Sequence, residues 1–514
     1  MSASFLICRS LILYSMVATL VLSQSLNGPL ALAFSTPSGS SSFRKARAPD
    51  TPLSEQRIVL VGGGHAHVQV IKALNRASRP SRVHVTLIDV QKSASYSGMV
   101  PGCVSNLYKP EDTLLHLEPL TDWASIEFIN DKVVDIDFES NLITLENNEL
   151  PIPYDVVSID IGSASRGLLD TKGARRYTIP TRPISDLVRR LEIESEELSK
   201  NPRPVNFLVI GGGVAGIELA MSVMGRWKTV VDKENILMTL LNSGSQLLPQ
   251  ETPANQRAVL DVLSERGIQV RHNCVVEEVG EAAVRLKTGE EIGFTHCLWA
   301  TGAGAHDLAW RLQRRGLAVS DRGWIRVNKH LQSVSHPNVF AAGDCCVMEG
   351  LEKGSPPKAG VYAVRAGPIL IQNLVNVINT EPLKPYVPQD DFMKLLACGD
   401  GTALGFRFGF PIRGKWVWQL KDAIDRKFMD LFKKENLPEL KDGQPFDTSQ
   451  YDAAHGARPP PREPKNAAAL LQRSDDAVDF QEAWNVLRDM AENERYRMKV
   501  LECIDVTHET LAVS

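Results

Sequence analysis

The sequence is short of paired cysteine. Its 514 residues hold eight cysteines, at positions 8, 103, 274, 297, 345, 346, 398 and 503. None stands in a C-x-x-C or C-x-x-x-x-C arrangement, which excludes a zinc ribbon and a redox dithiol of either spacing. So sparse a set cannot staple a fold. Cys345 and Cys346 are adjacent, where a mutual disulfide is strained, and they are expected to be two small buried side chains. Charge of one sign is also missing: the net charge is −4, without the basic footprint that a nucleic-acid partner needs. No apolar run approaches the roughly 20 residues of a membrane-spanning helix, so an integral membrane protein is not expected. What is present is ordinary globular composition, 43% hydrophobic and 23% charged, in a chain long enough for two or three domains.

The first fifty residues carry an address rather than a fold. Arg9 precedes the apolar stretch Leu11–Leu22, which has signal-peptide length. A small-residue cut, Ala31-Leu32-Ala33, follows, with Phe34 behind it. Residues 35–49 are Ser-rich, with Arg44, Lys45 and Arg47 and no acid. The expectation is a signal peptide (1–33) and a transit-like segment (34–55), resembling the two-part address of a complex plastid. The secretory pathway is the alternative.

Arg57-Ile58-Val59-Leu60-Val61 is a β-branched run, the pattern of a buried first strand. It enters Gly62-Gly63-Gly64-His65-Ala66-His67, then Val68, Val70, Ile71 and Leu74 at helical spacing. A glycine-rich turn opening a helix aims backbone N–H groups at a pyrophosphate. Gly62, Gly64, His65 and Ala66 are therefore candidate cofactor contacts. His67 stands where the third glycine of G-x-G-x-x-G belongs; His65 and His67 are expected to touch phosphate, and their spacing gives no metal site. A second strand, Val83–Ile88, ends in Asp89, a carboxylate able to accept both ribose hydroxyls of an adenosine. A loop-capping Asp is the plainer alternative.

A second and complete fingerprint follows Phe207-Leu208-Val209-Ile210, with Gly211, Gly213 and Gly216 in register. Two such units in one chain point to FAD in one and a nicotinamide nucleotide in the other. Tyr154–Ser163 and Cys297–Gly302 are strands that close on Gly162 and Gly302, where backbone can cross close to a cofactor. His336–Asp344 is a strand ending in Gly343-Asp344, whose carboxylate suits a ribityl hydroxyl. Pro357–Arg365 opens a helix at Lys358, Gly360 and Val361, whose positive end suits the N1/C2=O edge of an isoalloxazine. Lys358 and Tyr362 either flank the flavin or simply start the helix.

These residues resemble the two-dinucleotide flavoproteins, which include type II NADH dehydrogenases, sulfide:quinone reductases and ferredoxin reductases. The similarity is greater to pyridine nucleotide-disulfide oxidoreductase-like proteins related to the flavoprotein portion associated with selenide, water dikinase. It is carried by GGGHAHVQV (62–70), YSGMVPG (96–102), YDVVSIDIGS (154–163), GGGVAGIELA (211–220), FAAGDC (340–345), PKAGVYAVRAGP (357–368) and WVWQLKDAIDRKFM (416–429), within residues 56–432. The resemblance implies an α/β fold of two Rossmann-like domains, the nicotinamide domain inserted in the FAD domain, with a C-terminal cap and a helical tail. The implied parts are FAD domain 56–182 and 306–375, NAD(P) domain 183–305, cap 376–432, linker 433–465 and tail 466–514. It also places the loop holding Pro101 near the flavin and Glu218 near the nicotinamide. The tail is expected to pack on the body or on a second copy of the chain, a homodimer.

The function expected is an FAD-dependent oxidoreductase that passes electrons from NAD(P)H to a small-molecule acceptor. Without C-x-x-x-x-C no internal dithiol can carry electrons away, so a quinone is the expected acceptor. Lys415–Lys434 offers a route to a membrane surface: Val417, Leu420, Ile424, Phe428 and Leu431 recur at helical spacing between basic residues. Asn242 closes the second strand of the second unit, where an NAD enzyme usually carries Asp or Glu. That keeps a flavin-holding sensor with a weak nicotinamide site as an alternative. A sulfide- or selenide-linked reductase is another, with only Cys103, Cys345 and Cys346 to serve it. A fluorescent fusion of the full chain is expected in the plastid, and Phe34→Ala should strand it in an earlier compartment. Secretion of the unaltered fusion would show the address to be misread.

Overall fold

The first β-branched run forms β1 (Gln56–Val61), the middle strand of a parallel sheet. The computed structural model describes residues 55–389, 392–407 and 410–441. The expected signal peptide, the transit-like segment up to residue 54, the linker beyond Lys441 and the tail lie outside those residues. After β1 come α1 (His67–Ala73), β2 (Val83–Asp89), β3 (Glu127–Asn130) and β4 (Val156–Ile159). The chain then builds β5 (Ile179–Pro180), α2 (Ile184–Lys200), β6 (Val205–Ile210) and α3 (Val214–Trp227). It continues through β7 (Ile236–Leu241), α4 (Pro253–Glu265), β8 (Ile268–Arg271) and β9 (His296–Trp299). Next are β10 (Val339–Ala341) and α5 (Gly360–Asn379). Last are β11 (Lys394–Ala397), β12 (Ala403–Arg407), β13 (Phe410–Gly414) and α6 (Lys415–Asp430).

Two parallel five-stranded sheets follow the same plan. The first runs β10-β4-β1-β2-β3 and the second β5-β9-β6-β7-β8. Since β10 pairs with β4, the second sheet is built entirely from chain inserted between two strands of the first. Each central strand is buried on both faces, as a parallel sheet covered by helices requires: Ile58, Leu60 and Leu87 in the first, Phe207, Leu208 and Leu240 in the second. Burying each such side chain contributes about 1.5–3 kcal/mol. The antiparallel sheet β11-β12-β13 and α6 form the cap, which touches both units. Lys72 Nζ donates to Leu431 O at 2.7 Å, while Arg266 and Lys394 pair with Asp400 and Glu251 at 2.9 and 2.6 Å.

The helix α6 ends at Asp430, and it buries only part of the apolar stripe: Val417 and Phe428 are buried, Leu420, Ile424 and Leu431 are not. The buried seam is Val417, Lys421, Asp425, Phe428 and Met429, while Ile424 is 47% exposed. A pair of charges thus occupies the middle of the seam, because Lys421 and Asp425 neutralise each other one turn apart at 2.7 Å. The membrane-facing stripe through Leu420, Ile424 and Leu431 is correspondingly weakened: only Ile424 of the three is exposed, the other two being half-buried.

The helix α5 is, by length and composition alone, apolar enough to cross a membrane, but most of that stretch is buried in the protein. It also contains Pro368, which has no N–H and so leaves Val364 O without its helical donor. Gln69 of α1 supplies one: its Nε2 donates to Val364 O and to His65 O, both at 2.9 Å. A side chain at Gly367 would run into Gln69, so the glycine beside the proline makes the approach possible. Gln69→Leu should therefore lower stability by about 1–3 kcal/mol through the orphaned carbonyl, read from denaturant melts. An unchanged midpoint would show that Val364 O is satisfied otherwise.

Candidate functional site

The end of β1 and the start of α1 form the first turn. Gly62 has φ +90°, and a Cβ there would lie 2.5 Å from Asp160 O. Asp89 meets the turn from β2: its Oδ2 accepts Gly63 N at 2.6 Å and its Oδ1 accepts Gln91 N at 2.7 Å. Burial pushes the Asp89 carboxyl up, against the pull of those two amides. Ala66 and His67 donate their amides to Asp160 Oδ2, at 2.9 and 3.2 Å. Asp160 lies just past β4 and is 3% exposed. Its carboxylate also fills the space beside Gly64 and Gly343, where any Cβ would collide with it. Burial, reinforced by Asp344 and Asp89, pushes Asp160 up to about 7 although two amides favour the charged form.

The expected phosphate contact of His67 does not form. Its ring is fully buried, with Nδ1 at 2.6 Å from Gly62 O and Nε2 at 2.8 Å from Ser158 Oγ, so both nitrogens are occupied within the protein. The side chain in the place of the third glycine thus clamps the turn to β4. His65 is different: its Nε2 is buried and has no partner, and its ring lies 5.3 Å from that of Tyr96. Desolvation lowers it to about 4, so it is neutral at pH 7.

Around the flavin side of the first sheet, Gly162 has φ +66° and nothing near its Cβ position, an open approach for a ligand. Asp344 Oδ2 accepts Ser163 Oγ at 3.2 Å and faces Arg182 Nη2 at 3.5 Å. Gly343 has φ +72°. Lys358 is turned away from this carboxylate, its ammonium on Cys346 O and 4.4 Å from the Trp324 ring centre. The helix α5 starts after Ala359 with no side-chain cap, so the first-turn amides of Gly360 and Val361 have no intrahelical acceptor. A small cleft runs beside these groups, lined by Asp344, Cys346, Lys358, Tyr362 and Tyr386. Pro101 is buried in the short helix Val100–Val104, and Cys103 beside it has its thiol pushed up to about 12 by burial.

In the second unit, Gly211 has φ +124° and donates to Leu241 O at 2.9 Å, and Gly216 packs on Gly211 O. Gly213 opens α3 and faces open space. Gly302 has φ +96° beside Arg166. Glu218 of α3 accepts Ala397 N of β11 at 2.7 Å, and desolvation raises it to about 7 despite the Lys421 charge. Lys421 donates to Gly98 O and Asp425, and Tyr96 stands against Asp425. A line of titratable groups, Glu218, Lys421, Asp425 and Tyr96, therefore joins the nicotinamide unit to the loop preceding Pro101.

The fit to two dinucleotides is favourable: Gly162 and Gly213 leave backbone open, and Asp89 and Asp344 offer acceptors, although the first turn's own amides from Gly62 to Gly64 and at Ala66 and His67 are bonded within the protein. Among the described residues no cluster is placed to hold a metal ion. Sequence reasoning missed Asp160, Arg182, Lys421, Asp425 and Tyr96. A carboxylate directly after the buried strand Val156–Ile159 and the i, i+4 pair on α6 were the available signals.

A family model described as pyridine nucleotide-disulphide oxidoreductase matches residues 56–367. The type II NADH:quinone oxidoreductase of Haemophilus influenzae is 25% identical over 411 residues, covering 70% of this chain and 90% of that protein. Human ferroptosis suppressor protein 1 is 24% identical over 380 residues, covering 72% and 92%. Two solved structures share the fold. The sulfide:quinone oxidoreductase of Aquifex aeolicus superposes with a TM-score of 0.63 at 22% identity, over 74% of this chain and 92% of its own. NDH2 from Plasmodium falciparum, solved with NADH, gives 0.62 at 15% identity, over 76% and 100%.

Asp160 makes a pH signature. The unfolded carboxyl ionises near pH 4 and the folded one near 7. Stability is therefore lost as pH rises through that interval and the penalty is complete above it. Asp160→Asn keeps an oxygen for the two amides and removes the titration. Its Tm relative to the parent should rise from about pH 4.5 to about pH 8. A difference independent of pH would refute the assignment.

Proposed function

The chain belongs to the pyridine nucleotide-disulphide oxidoreductase family, and from that premise we propose that it is an FAD-dependent NAD(P)H dehydrogenase that reduces a quinone. The observation that carries this is the pairing of two glycine cradles, at Gly62–Gly64 and Gly211–Gly213, with the buried line Glu218–Lys421–Asp425 across the joint between them. The named activities of the Haemophilus and other type II relatives support the quinone as acceptor.

FAD, when bound, supplies two-electron transfer between nicotinamide and acceptor. The protein's own task is positioning and proton supply. The Gly62–Gly64 turn would lie against the flavin pyrophosphate, Asp89 at its adenosine ribose and Asp344 at its ribityl chain, while the amides of Gly360 and Val361 would face the ring edge; the Ala66 amide, expected to meet the pyrophosphate, is taken instead by Asp160. Gly211, Gly213 and Gly216 would hold the nicotinamide nucleotide. Reducing a quinone to a quinol takes up two protons, of which the donor's hydride brings one equivalent. The second comes from water, and Glu218, poised near 7, is suited to holding it beside the positive charge of Lys421. A cationic Lys421 also attracts the negative charge that develops on a reduced quinone oxygen. Peripheral contact with a membrane, through exposed Ile424 and the neighbouring Lys415 and Lys427, would bring a lipid-soluble acceptor to this side.

The sulfide-linked reading finds less support. It needs two thiols able to react at the flavin, but all three candidates are buried; Cys103 is pushed up mainly by burial and Cys345 mainly by its hydrogen bond with Cys346, and Cys346 alone is pulled down, by that same bond.

The purified protein should be yellow, bleach on adding NAD(P)H, and turn over a short-chain quinone but not a disulfide. Glu218→Gln should slow quinone reduction by about tenfold or more and remove a limb near pH 7 from the kcat profile, with flavin reduction slowed less than reoxidation. Disulfide turnover without quinone reduction would overturn the proposal.

A further inference from the structure

Two thiols have no task in the chemistry described above. Cys345 and Cys346 follow the Gly343-Asp344 turn directly, and neither is in a disulfide. They are 4% and 7% exposed. Cys345 Sγ donates towards Ala342 O at 3.1 Å and Ile159 O at 3.4 Å, and Cys346 Sγ towards Gly343 O at 3.4 Å. The two sulfurs are also within hydrogen-bonding reach of each other. Their bond raises the Cys345 thiol and lowers that of Cys346, which the Lys358 charge lowers further. Two soft donors thus stand side by side, with the second nearer to the thiolate that binds and reacts.

The surroundings select what such a pair can hold. A disulfide between neighbours in sequence is strained, whereas a bridge through one further atom enlarges the ring and relieves that strain. Cys346 lines the small cleft together with Asp344, Pro356, Pro357, Lys358 and Tyr362, so one sulfur can be reached from outside. The Lys358 ammonium rests on Cys346 O at the same opening. Because the cleft is small and the Asp344 carboxylate borders it, the visitor must be small and must not be an anion. Among the described residues no cluster of three metal-ligating groups forms around the pair, so a tetrahedral metal ion would lack donors. A soft centre satisfied by two thiolates is what remains.

We propose that Cys345 and Cys346 form a dithiol site for trivalent arsenic, taken up as uncharged arsenous acid. Each S–H exchanges with one As–OH: an As–S bond forms, an As–O bond breaks, and the thiol proton leaves in the water released. Two exchanges give two As–S bonds, two waters and one remaining As–OH, with no change of oxidation state. The site needs neither nucleotide, so its test stands apart from the proposed electron transfer.

The test uses the full FAD-holding chain, kept reduced with a phosphine and mixed with sodium arsenite. Native mass spectrometry should show one arsenic per chain, removed by a small dithiol and retained against an equal concentration of a monothiol. Cys346→Ser and Cys345→Ala should each weaken capture by about a hundredfold or more, because one bond then replaces two. Cys274→Ser and Cys398→Ser should leave it unchanged, and flavin content per chain shows that each variant is folded. Capture that persists in folded Cys346→Ser would overturn the site. So would failure of the parent to take up arsenic where free dihydrolipoate does, a result that requires no variant to fold.

Discussion

The buried carboxylate of Asp160 determines how the first nucleotide turn can be built. It takes the amides of Ala66 and His67, and its bulk forbids a side chain at Gly64 and at Gly343. Three segments far apart in sequence, the turn after β1, the exit from β4 and the turn after β10, are thereby packed around one group. Its position explains why α1 needs no side-chain cap of its own: two of the orphan amides at its N-terminus are already satisfied. It also explains His67, whose ring closes the other side of the turn against Ser158. A buried acid is costly, and the cost is reduced because a pKa raised to about 7 leaves part of the group protonated at neutral pH.

The cap depends on a second buried charge arrangement. Lys421 and Asp425 are 6% and 7% exposed, within a seam otherwise made by Val417, Phe428 and Met429. Such a pair is weak evidence for stability, since desolvation offsets most of the attraction. Its more specific effect is positional. The pair fixes α6 against Gly98 O on one side and brings positive charge towards Glu218 on the other, so a proton-holding group and a cation meet where two units and the cap converge.

The two nucleotide units show how one backbone plan is specialised. Strand order and register are alike, and each turn opens on a glycine of positive φ, Gly62 at +90° and Gly211 at +124°. What differs is the side chain after the second strand and the group beneath the turn. Asp89 with Asp160 makes the first corner acidic, whereas Asn242 with its carbonyl partners makes the second neutral.

Local sequence was sufficient for the strand–turn–helix units, their order, the Gly-Asp turn at Gly343-Asp344 and the start of α5, because each depends on periodicity and glycine conformations within about ten residues. It could not disclose that Gln69 serves the carbonyl freed by Pro368, since that bond links positions brought together only when α1 packs on α5. Nor could it place Asp160 beneath Gly64, or choose which face of α6 is buried. Apolar spacing joined Leu420 and Ile424 to Val417 and Phe428, of which only the last two are buried; the neighbours of α6 include the Gly98 carbonyl and Glu218, which reward Lys421 and Asp425 in the seam. Hydrophobic period measures what a segment prefers against water; only the folded chain sets the polar partners against which a charged side chain can be buried.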